Sequence, residues 1–329
     1  MRGVLRAFVI GAASMLAGSS AEAQAWPERS ITIVVPLAAG TGMDSVTRVY
    51  ADELSKALGK PVLIENQPGA ALMLAAQNVA KAAPDGYTLL VSATLPMTAN
   101  TALYKRVNYD PERDFVPISV YLGSPFVVIV RPEAKLDTLQ AFVAHAKAQP
   151  AGSPITFASS GTGGLTHLTM ELIKSEMGFA ASHVPYRSSG QIVTDVLGGH
   201  VGSAISETGI AMGLIKDGKL KALAISSAAR LAALPDVPTV AEAGNRPGFD
   251  ASAWHVLAAP AATPQPIVDR LVAEMARITA SPAFQARVTA TGLMPRPPVG
   301  MDAMKGYIAA EKVRWSGVVK QLGLEGSQQ

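Results

Sequence analysis

Short apolar runs alternate with amphipathic stretches along the chain, and the first such pair sets the pattern for the rest. Residues 31–35 are apolar and mostly β-branched, which is typical of a strand buried on both faces. Pro36 cannot donate to a ladder, so it closes the strand. Apolar residues then recur at helical spacing over residues 43–58, and Gly59 ends that helix. The sequence therefore predicts a strand, a turn and a helix in succession.

The same unit recurs, so the whole chain is predicted to be α/β. Predicted strands lie at residues 31–35, 61–65, 87–92, 115–122, 126–130, 155–159, 183–184, 201–206, 220–226 and 253–259. Predicted helices lie at residues 43–58, 70–83, 138–148, 165–177, 191–197, 264–280, 282–291 and 301–322, with a short one beginning near residue 239. The alternation within each half favours parallel strands with right-handed crossovers.

Two α/β lobes with a hinged cleft between them are the expected architecture. About 300 residues are long for a single core. We assign residues 24–122 and 253–329 to lobe I and residues 123–252 to lobe II, with extended crossings near residues 123–125 and 253–259. The last three helices have no sheet partner in sequence, so we expect them to pack on lobe I.

One glycine-rich loop in each lobe joins a strand to a helix. The first glycine loop, residues 36–42, contains Gly40-Thr41-Gly42, and the second, residues 159–164, reads SSGTGG. A glycine turn at a helix N-terminus offers unpaired N–H groups and a partial positive charge, which attract anions. Ligands in such sheets lie beyond the carboxyl ends of the strands, so we expect both loops to face one cleft.

Two other interpretations of the loops stay open at this point. The first loop partly matches a dinucleotide fingerprint, with Glu65 about twenty residues on, but Ser45 stands where the third glycine should be. The glycines of either loop could also serve only a tight turn. Asp44 could bond a ligand or a water, or simply complement the dipole of its helix.

The first 23 residues have the form of a secretory signal. Arg2 and Arg6 precede a short apolar core, and Ala21-Glu22-Ala23 forms a small-residue cleavage box, with cleavage after Ala25 as the alternative. The whole chain has 28 basic and 25 acidic residues and no cysteine. Such a near-balanced charge does not suit nucleic acid. We expect an exported, soluble protein without disulfides.

Catalytic and metal-binding patterns find little support. The five histidines include no HExxH or other closely spaced ligand set, so neither a metal nor another cofactor is expected. Ser159 and Ser160 have no evident base, and there is no G-x-S-x-G elbow. His167 follows the second loop, and we expect it to bond locally. The sequence therefore favours a binding protein over an enzyme.

Several blocks together carry a family resemblance over essentially all of the exported chain. They read VVPLAAGTGMD, IENQPGA, AKAAPDGYTLL, NYDPERDFVPIS, ITFASSGTGGLTHL, HVPYRSSG, LPDVPTVAEAG and RWSGVVKQLGL. The chain resembles the periplasmic substrate-binding proteins of tripartite tricarboxylate transporters, the Bug receptor family. The resemblance implies a two-lobed type II periplasmic-binding-protein fold that captures a small carboxylate and delivers it to membrane permease subunits. We expect a monomer.

The resemblance also implies which residues bind the ligand. In the family, backbone amides and waters from the two glycine loops hold the carboxylate. The corresponding residues here are Ala39, Gly40, Thr41, Gly42 and Asp44 in the first lobe, and Ser159, Ser160, Gly161, Thr162 and Gly163 in the second. The loops at Thr94 and Leu95 and at Tyr186 and Arg187 should line the remainder of the site, with Glu207 near the rim.

The chain departs from the usual family pattern at four places. Leu37 replaces an aromatic residue, Thr41 replaces a glycine, and Ala71-Leu72 replaces paired glycines. Glu207 stands where a neutral amide is common. A carboxylate there would repel a second ligand carboxylate unless Arg187 neutralises it, whereas a solvated surface glutamate would have no effect.

Two other functions compete with the transport receptor. An exported hydrolase acting on a small acid would need a nucleophile–base pair, which the sequence does not show. A sensory receptor for the same ligands would present them to a membrane kinase, and its sequence would not differ from that of a transport receptor.

Overall fold

The computed structural model of the protein describes residues 26–150 and 152–329, and the predicted signal segment lies outside them. The strands are β1 (Ile31–Val35), β2 (Val62–Asn66), β3 (Thr88–Ala93), β4 (Phe115–Ser124), β5 (Phe126–Val130), β6 (Ile155–Ser159), β7 (Ala181–Pro185), β8 (Ser203–Glu207), β9 (Lys221–Ile225), β10 (Ala253–Pro260) and β11 (Met294–Pro295). The helices are α1 (Gly42–Leu58), α2 (Met73–Val79), α3 (Thr94–Met97), α4 (Asn100–Leu103), α5 (Leu139–Lys147), α6 (Leu165–Met177), α7 (Ser189–Leu197), α8 (Thr208–Lys216), α9 (Val240–Gly244), α10 (Gln265–Thr279), α11 (Pro282–Ala290) and α12 (Met301–Gln321). Short 3₁₀ turns lie at Ala70–Leu72 and Pro132–Ala134.

The lobe I sheet has the strand order β11-β4-β10-β3-β1-β2. Strands β1, β2 and β3 run parallel, and β10 lies antiparallel between β3 and β4. Ile31, Ile33 and Val35 are fully buried and Val34 is nearly so, which confirms that β1 is covered on both faces. The return of β10 into this sheet brings the chain back from lobe II.

The lobe II sheet has the strand order β7-β6-β8-β5-β9. Strand β6 runs parallel to β7 and β8, and β5 is antiparallel to β8 and β9. Two sheets of mixed strands with helices packed on them confirm the predicted α/β class. The lobe boundaries at residues 122 and 253 stay a prediction.

The C-terminal helices differ from one another in what they cover. Helix α10 packs on α1 and β4 of lobe I, as expected. Helix α12 packs on α3, α4 and β4 of lobe I, as expected. In addition, Trp315, Val318 and Val319 are buried in one core with Phe157 and Leu168 of lobe II. Helix α12 therefore joins the two lobes in addition to the two extended crossings.

A buried carboxylate fixes α12 against the return strand. Glu311 is 6% exposed, and its Oε2 accepts hydrogen bonds from the indole Nε1 atoms of Trp254 and Trp315, each at 3.0 Å. Arg314 Nη2 lies 2.8 Å from Glu311 Oε1, and Arg314 Nη1 donates to the carbonyl oxygen of Asp250 in lobe II. These bonds satisfy the buried charge and tie the helix to β10.

Local structure differs from the prediction around the second turn of lobe I. Helix α2 starts at Met73 rather than residue 70, because Ala70, Ala71 and Leu72 have left-handed φ angles of 45°, 50° and 69°. Non-glycine residues adopt that region at a cost of about 1–2 kcal/mol each. Helices α3, α4 and α8 and strand β11 are not among the predicted elements, because they are short or follow directly on a strand.

Candidate functional site

A cavity of about 910 Å³ lies between the lobes and is lined by both. We call it the cleft cavity. Lobe I contributes Leu37, Thr41, Gly42, Met43, Leu72, Ala93, Thr94, Leu95, Ala253, His255, Thr291 and Leu293. Ser124, Phe126, Ser160, Gly164, Leu165, Thr166, Ser189, Glu207, Gly209 and Ile210 complete the lining from the hinge and lobe II. The volume suits a small organic ligand.

Four helices of at least nine residues begin at this cavity. Their first residues in the lining are Gly42 of α1, Leu165 of α6, Ser189 of α7 and Gly209 of α8. The N–H groups of a first turn have no intrahelical acceptor, and each helix N-terminus carries about half a positive charge. The cavity therefore has a positive field that comes from the backbone.

Asp44 braces the first glycine loop from within. Its Oδ2 accepts from the backbone N–H of Gly40 at 2.9 Å, and Arg48 donates to both carboxylate oxygens at 2.9 and 3.0 Å. Asn66 Nδ2 donates to Oδ1 at 2.9 Å. These four bonds use the acceptor capacity of a carboxylate, which is about four. Asp44 is 2% exposed, so the geometry favours a role in fixing the loop over one in bonding a ligand.

The charge state of Asp44 follows from these contacts. Burial by itself raises the pKa of this carboxyl, but the hydrogen bonds from Arg48, Gly40 and Asn66 outweigh burial and lower the pKa to about 2. Thr41 accepts from the N–H of Asp44 and caps α1. The first i to i−4 bond of α1 is donated by Ser45, which leaves the N–H groups of Gly42 and Met43 without intrahelical acceptors beside the cavity.

Neutral side chains brace the second glycine loop. The backbone N–H of Ser160 donates to Thr166 Oγ1 at 3.1 Å, and the two hydroxyls lie 2.8 Å apart. The N–H of Gly163 donates to His167 Nδ1 at 3.1 Å, so the expected local bond of His167 is confirmed. Gly161 has φ +114° and Gly163 has φ +77°, backbone angles that favour glycine.

Two stacked histidines lie beneath that loop. The rings of His167 and His183 are 3.9 Å apart, and burial lowers the pKa of each to about 4. His183 Nε2 lies 2.7 Å from Ser159 Oγ, which is a nucleophile–base geometry that the sequence did not reveal. Ser159 is fully buried and neither residue lines the cleft cavity. The pair is therefore a structural contact that a substrate in the cavity does not reach.

Six of the predicted ligand-binding residues line the cleft cavity: Thr41, Gly42, Thr94, Leu95, Ser160 and Glu207. The others lie outside its lining: Ala39, Gly40, Asp44, Ser159, Gly161, Thr162, Gly163, Tyr186 and Arg187. Tyr186 donates its hydroxyl to Asp195 at 2.7 Å. Direct ligand contact by any of these residues stays a prediction. The lining is displaced from the glycines toward the first helical turns.

The cavity has an apolar wall whose residues are not among the predicted site residues. Leu72, Phe126, Ile210 and Leu293 come from four distant parts of the chain and meet only in the folded protein. No local sequence pattern predicts that these four residues will meet. Two of these positions stand out in the sequence. Leu72 replaces a glycine of the family pattern, and Phe126 begins the strand that directly follows the predicted crossing at residues 123–125.

Within residues 26–150 and 152–329, no group of three or more His, Asp or Glu side chains is arranged to hold a metal ion. No helix in the described part of the chain combines the length and hydropathy needed to cross a membrane.

The two lobes and the cleft between them define a solute-binding protein that holds a small ligand between two sheets. Residues 46–324 match the model of the tripartite tricarboxylate transporter family receptor, so the chain belongs to this family of periplasmic solute-binding receptors. Members of the family bind solutes and are not enzymes, and neither is this protein. The resemblance drawn from the sequence motifs is confirmed.

Known proteins match over almost the whole chain. The chain is 36% identical to protein BugT of Bordetella pertussis (strain Tohama I) over 318 residues, which are 96% of each chain. The solved structure of an R. palustris protein with adipate is 30% identical in sequence, with a TM-score of 0.76. The match covers 91% of this chain and 98% of the R. palustris chain. MatC from Rhodopseudomonas palustris with bound malate is 32% identical with a TM-score of 0.72, over 89% and 100% of the chains. These matches confirm the two-lobed periplasmic-binding-protein fold.

Proposed function

We propose that this protein captures a small carboxylate in the cleft cavity and delivers it to the membrane permease subunits of a tripartite tricarboxylate-type transporter. The main observation behind this proposal is that four helices begin at a cavity whose described lining contains no lysine or arginine. A carboxylate there accepts hydrogen bonds from main-chain N–H groups and gains from the helix dipoles. Adipate and malate in the two similar R. palustris structures support the ligand class.

The donors nearest the ligand are the first-turn N–H groups. In α1 these belong to Gly42 and Met43, and in α6 to Leu165 and Thr166, since Leu168 donates the first helical bond to Gly164. The two helices stand on different lobes, so one carboxylate bound by both would hold the lobes together. Closure about the two extended crossings would then follow ligand binding.

Export, delivery and oligomeric state belong to the same proposal. Residues 1–23 act as the secretory signal, and the exported protein begins at Gln24 or Trp26 and works as a monomer. Mass spectrometry of protein recovered from the periplasm measures this start directly. Recovery of the uncleaved chain in the membrane fraction would contradict it.

Thermal unfolding with a panel of small carboxylates tests the binding function. A ligand at 100 times its dissociation constant adds about 2.7 kcal/mol to the free energy of unfolding. For a chain of this size, that raises the melting temperature by about 5 °C. Amines and neutral amides of the same carbon skeletons serve as controls. A panel of C2 to C8 carboxylates that leaves the melting temperature unchanged would overturn the proposal.

A further inference from the structure

Glu207 is the one charged side chain in the described lining of the cleft cavity. It is partly buried at the end of β8, and its carboxylate makes no capping bond to helix α8, which begins at the next residue. No ion pair joins it to a lysine or arginine within the described residues, and Arg187 lies outside the lining. A cavity built to attract anions therefore contains an unneutralised carboxylate of its own.

The sheet places this carboxylate close to the second glycine loop. Strand β8 lies beside β6, with Ala204 paired to Ala158, and Glu207 ends β8 as Ser160 follows β6. Neighbouring strands are about 4.8 Å apart. On the other side, Glu207 pairs with Phe126 of β5, which is part of the apolar wall. A ligand carboxylate on α6 and a second ligand group near Glu207 would thus occupy adjacent positions.

If the cleft closes on a ligand, the charged carboxylate of Glu207 loses contact with water, and this desolvation costs free energy. A carboxylate removed from water needs a partner, because an unpaired buried charge costs several kcal/mol. The described lining offers no lysine or arginine to fill this role, and the N-terminus of α8 beside Glu207 supplies only a partial positive charge. A second carboxylate on the ligand would add repulsion, whereas an ammonium group would form an ion pair in a site of reduced dielectric.

We propose that the ligand is a monocarboxylate that also carries an ammonium group, and that Glu207 binds this ammonium and rejects dicarboxylates. The inference rests on the proposed function, since the carboxylate of the same ligand is the group held at the helix N-termini. The apolar side chains of Leu72, Phe126, Ile210 and Leu293 contact the hydrocarbon portion between the two charged groups. Specificity in this cleft is thus set by one side chain against a background of main-chain donors.

Three ligands with the same six-carbon chain and one carboxylate in common differ only in the group at the other end. Adipate has two carboxylates, 6-aminohexanoate replaces one of them by an ammonium, and hexanoate has neither group at that end. The C4 set of succinate, 4-aminobutanoate and butanoate tests a shorter spacing. Isothermal calorimetry on the protein should give 6-aminohexanoate or 4-aminobutanoate an affinity about tenfold or more above that of its dicarboxylate, as expected for one charge contact.

The substitution Glu207→Gln tests the residue itself. It should lower the ratio of amino acid to dicarboxylate affinity by about tenfold while leaving the monocarboxylate affinity within about threefold. Glu133→Gln is the matched control, because it removes one negative charge from an exposed position of lobe II outside the cavity lining and should leave the ratio unchanged. Circular dichroism confirms that both variants fold.

The outcomes separate this inference from the proposed function. Carboxylate binding with a ratio that Glu207→Gln does not change would overturn the role of Glu207 and keep the receptor function. A wild-type protein that prefers the dicarboxylate in both sets would overturn the ligand class. If no member of either set binds and the C2 to C8 panel also fails, both proposals fall together.

Discussion

The first and second glycine loops have the same sequence form, but different chemistry holds them in place. Asp44, Arg48 and Asn66 brace the first loop through a charged cluster on lobe I. Thr166 and the neutral His167 brace the second loop on lobe II. In both, side chains bond N–H groups within the loop, and the first helical turn is left facing the cavity. The glycines thus shape the loop, whereas the N–H groups without intrahelical acceptors beside the cavity come one turn later.

Because different groups brace the two loops, the stability of each loop depends on pH in a different range. Asp44 has a folded pKa of about 2, so its contribution is present above its unfolded pKa near 3.9 and is lost as the pH falls toward 2. His167 and His183 have folded pKa values of about 4, below the unfolded value near 6.5. The bracing of the second loop is therefore lost at a higher pH than that of the first loop.

The largest effect is expected from Gly161→Val in the second loop. A β-branched residue cannot adopt φ +114°, so the loop must move and ligand affinity should fall by about 100-fold. Ser160→Ala should weaken binding by about threefold or less, because the Ser160 hydroxyl already bonds Thr166 inside the loop. Calorimetry with the best carboxylate of the panel measures both. Equal, small losses would mean that the loop geometry does not control the site.

Gly218→Val controls for strain that has nothing to do with the cleft. Gly218 has φ +69° in the same lobe, outside the cavity lining, so this variant should lose stability and keep its affinity.

The charged brace of the first loop is tested by Asp44→Asn. An amide loses the ion pair with Arg48 and accepts fewer bonds, so the free energy of unfolding should fall by about 2 kcal/mol. Urea denaturation at pH 7 gives the value. Asp52→Asn changes an exposed carboxyl of the same helix and should cost under about 0.5 kcal/mol. Similar values for the two variants would show that Asp44 does not brace the loop.

The histidine stack makes a smaller, pH-dependent contribution. Between about pH 6.5 and pH 4 the unfolded chain binds more protons than the folded one, so the free energy of unfolding falls as the pH is lowered. We expect about 1–2 kcal/mol from the pair, after reducing the value for the partial exposure of His183. His183→Gln should flatten this part of the pH profile, and His145→Gln, an exposed position, should not. A profile that is unchanged by His183→Gln would contradict the assignment.

The turn at Ala70–Leu72 in lobe I extends the comparison and carries the smallest expected effect. Ala71 has φ 50° where the glycine loops use glycine, so Ala71→Gly should raise the free energy of unfolding by about 0.5–1 kcal/mol. Ala273→Gly, at an exposed position inside α10, should instead lower it by about 0.5–1 kcal/mol. Denaturation midpoints of the two variants that shift in the same direction would contradict the strain at Ala71.

The fold was largely predictable because its signals are local. Runs such as residues 31–35 and 126–130 are apolar and β-branched, and Gly59 and Gly178 end their helices as αL caps. Helix α8 was missed because it begins directly after β8, without a turn signal. The crossing of α12 into lobe II was missed because its direction depends on packing partners far away in sequence, such as Phe157.

The site was predictable only in part, for a related reason. The glycine pattern located both loops, and the family pattern located Thr94, Leu95 and Glu207, all of which line the cavity. Neither pattern showed that the hydrogen-bond acceptor capacity of the Asp44 carboxylate is filled by Gly40, Arg48 and Asn66. That fact depends on Asn66, which a different strand brings within reach.

The bridging helix α12 has a consequence for the order in which the chain acquires its structure. The lobe I sheet is incomplete without β10, and the lobe II core is incomplete without Trp315, Val318 and Val319. Glu311 can be desolvated only when Trp254 and Arg314 are both present. Neither lobe can therefore reach its final packing until α12 has been synthesised. Folding of this kind is governed by contacts between residues distant in sequence and is expected to be slow.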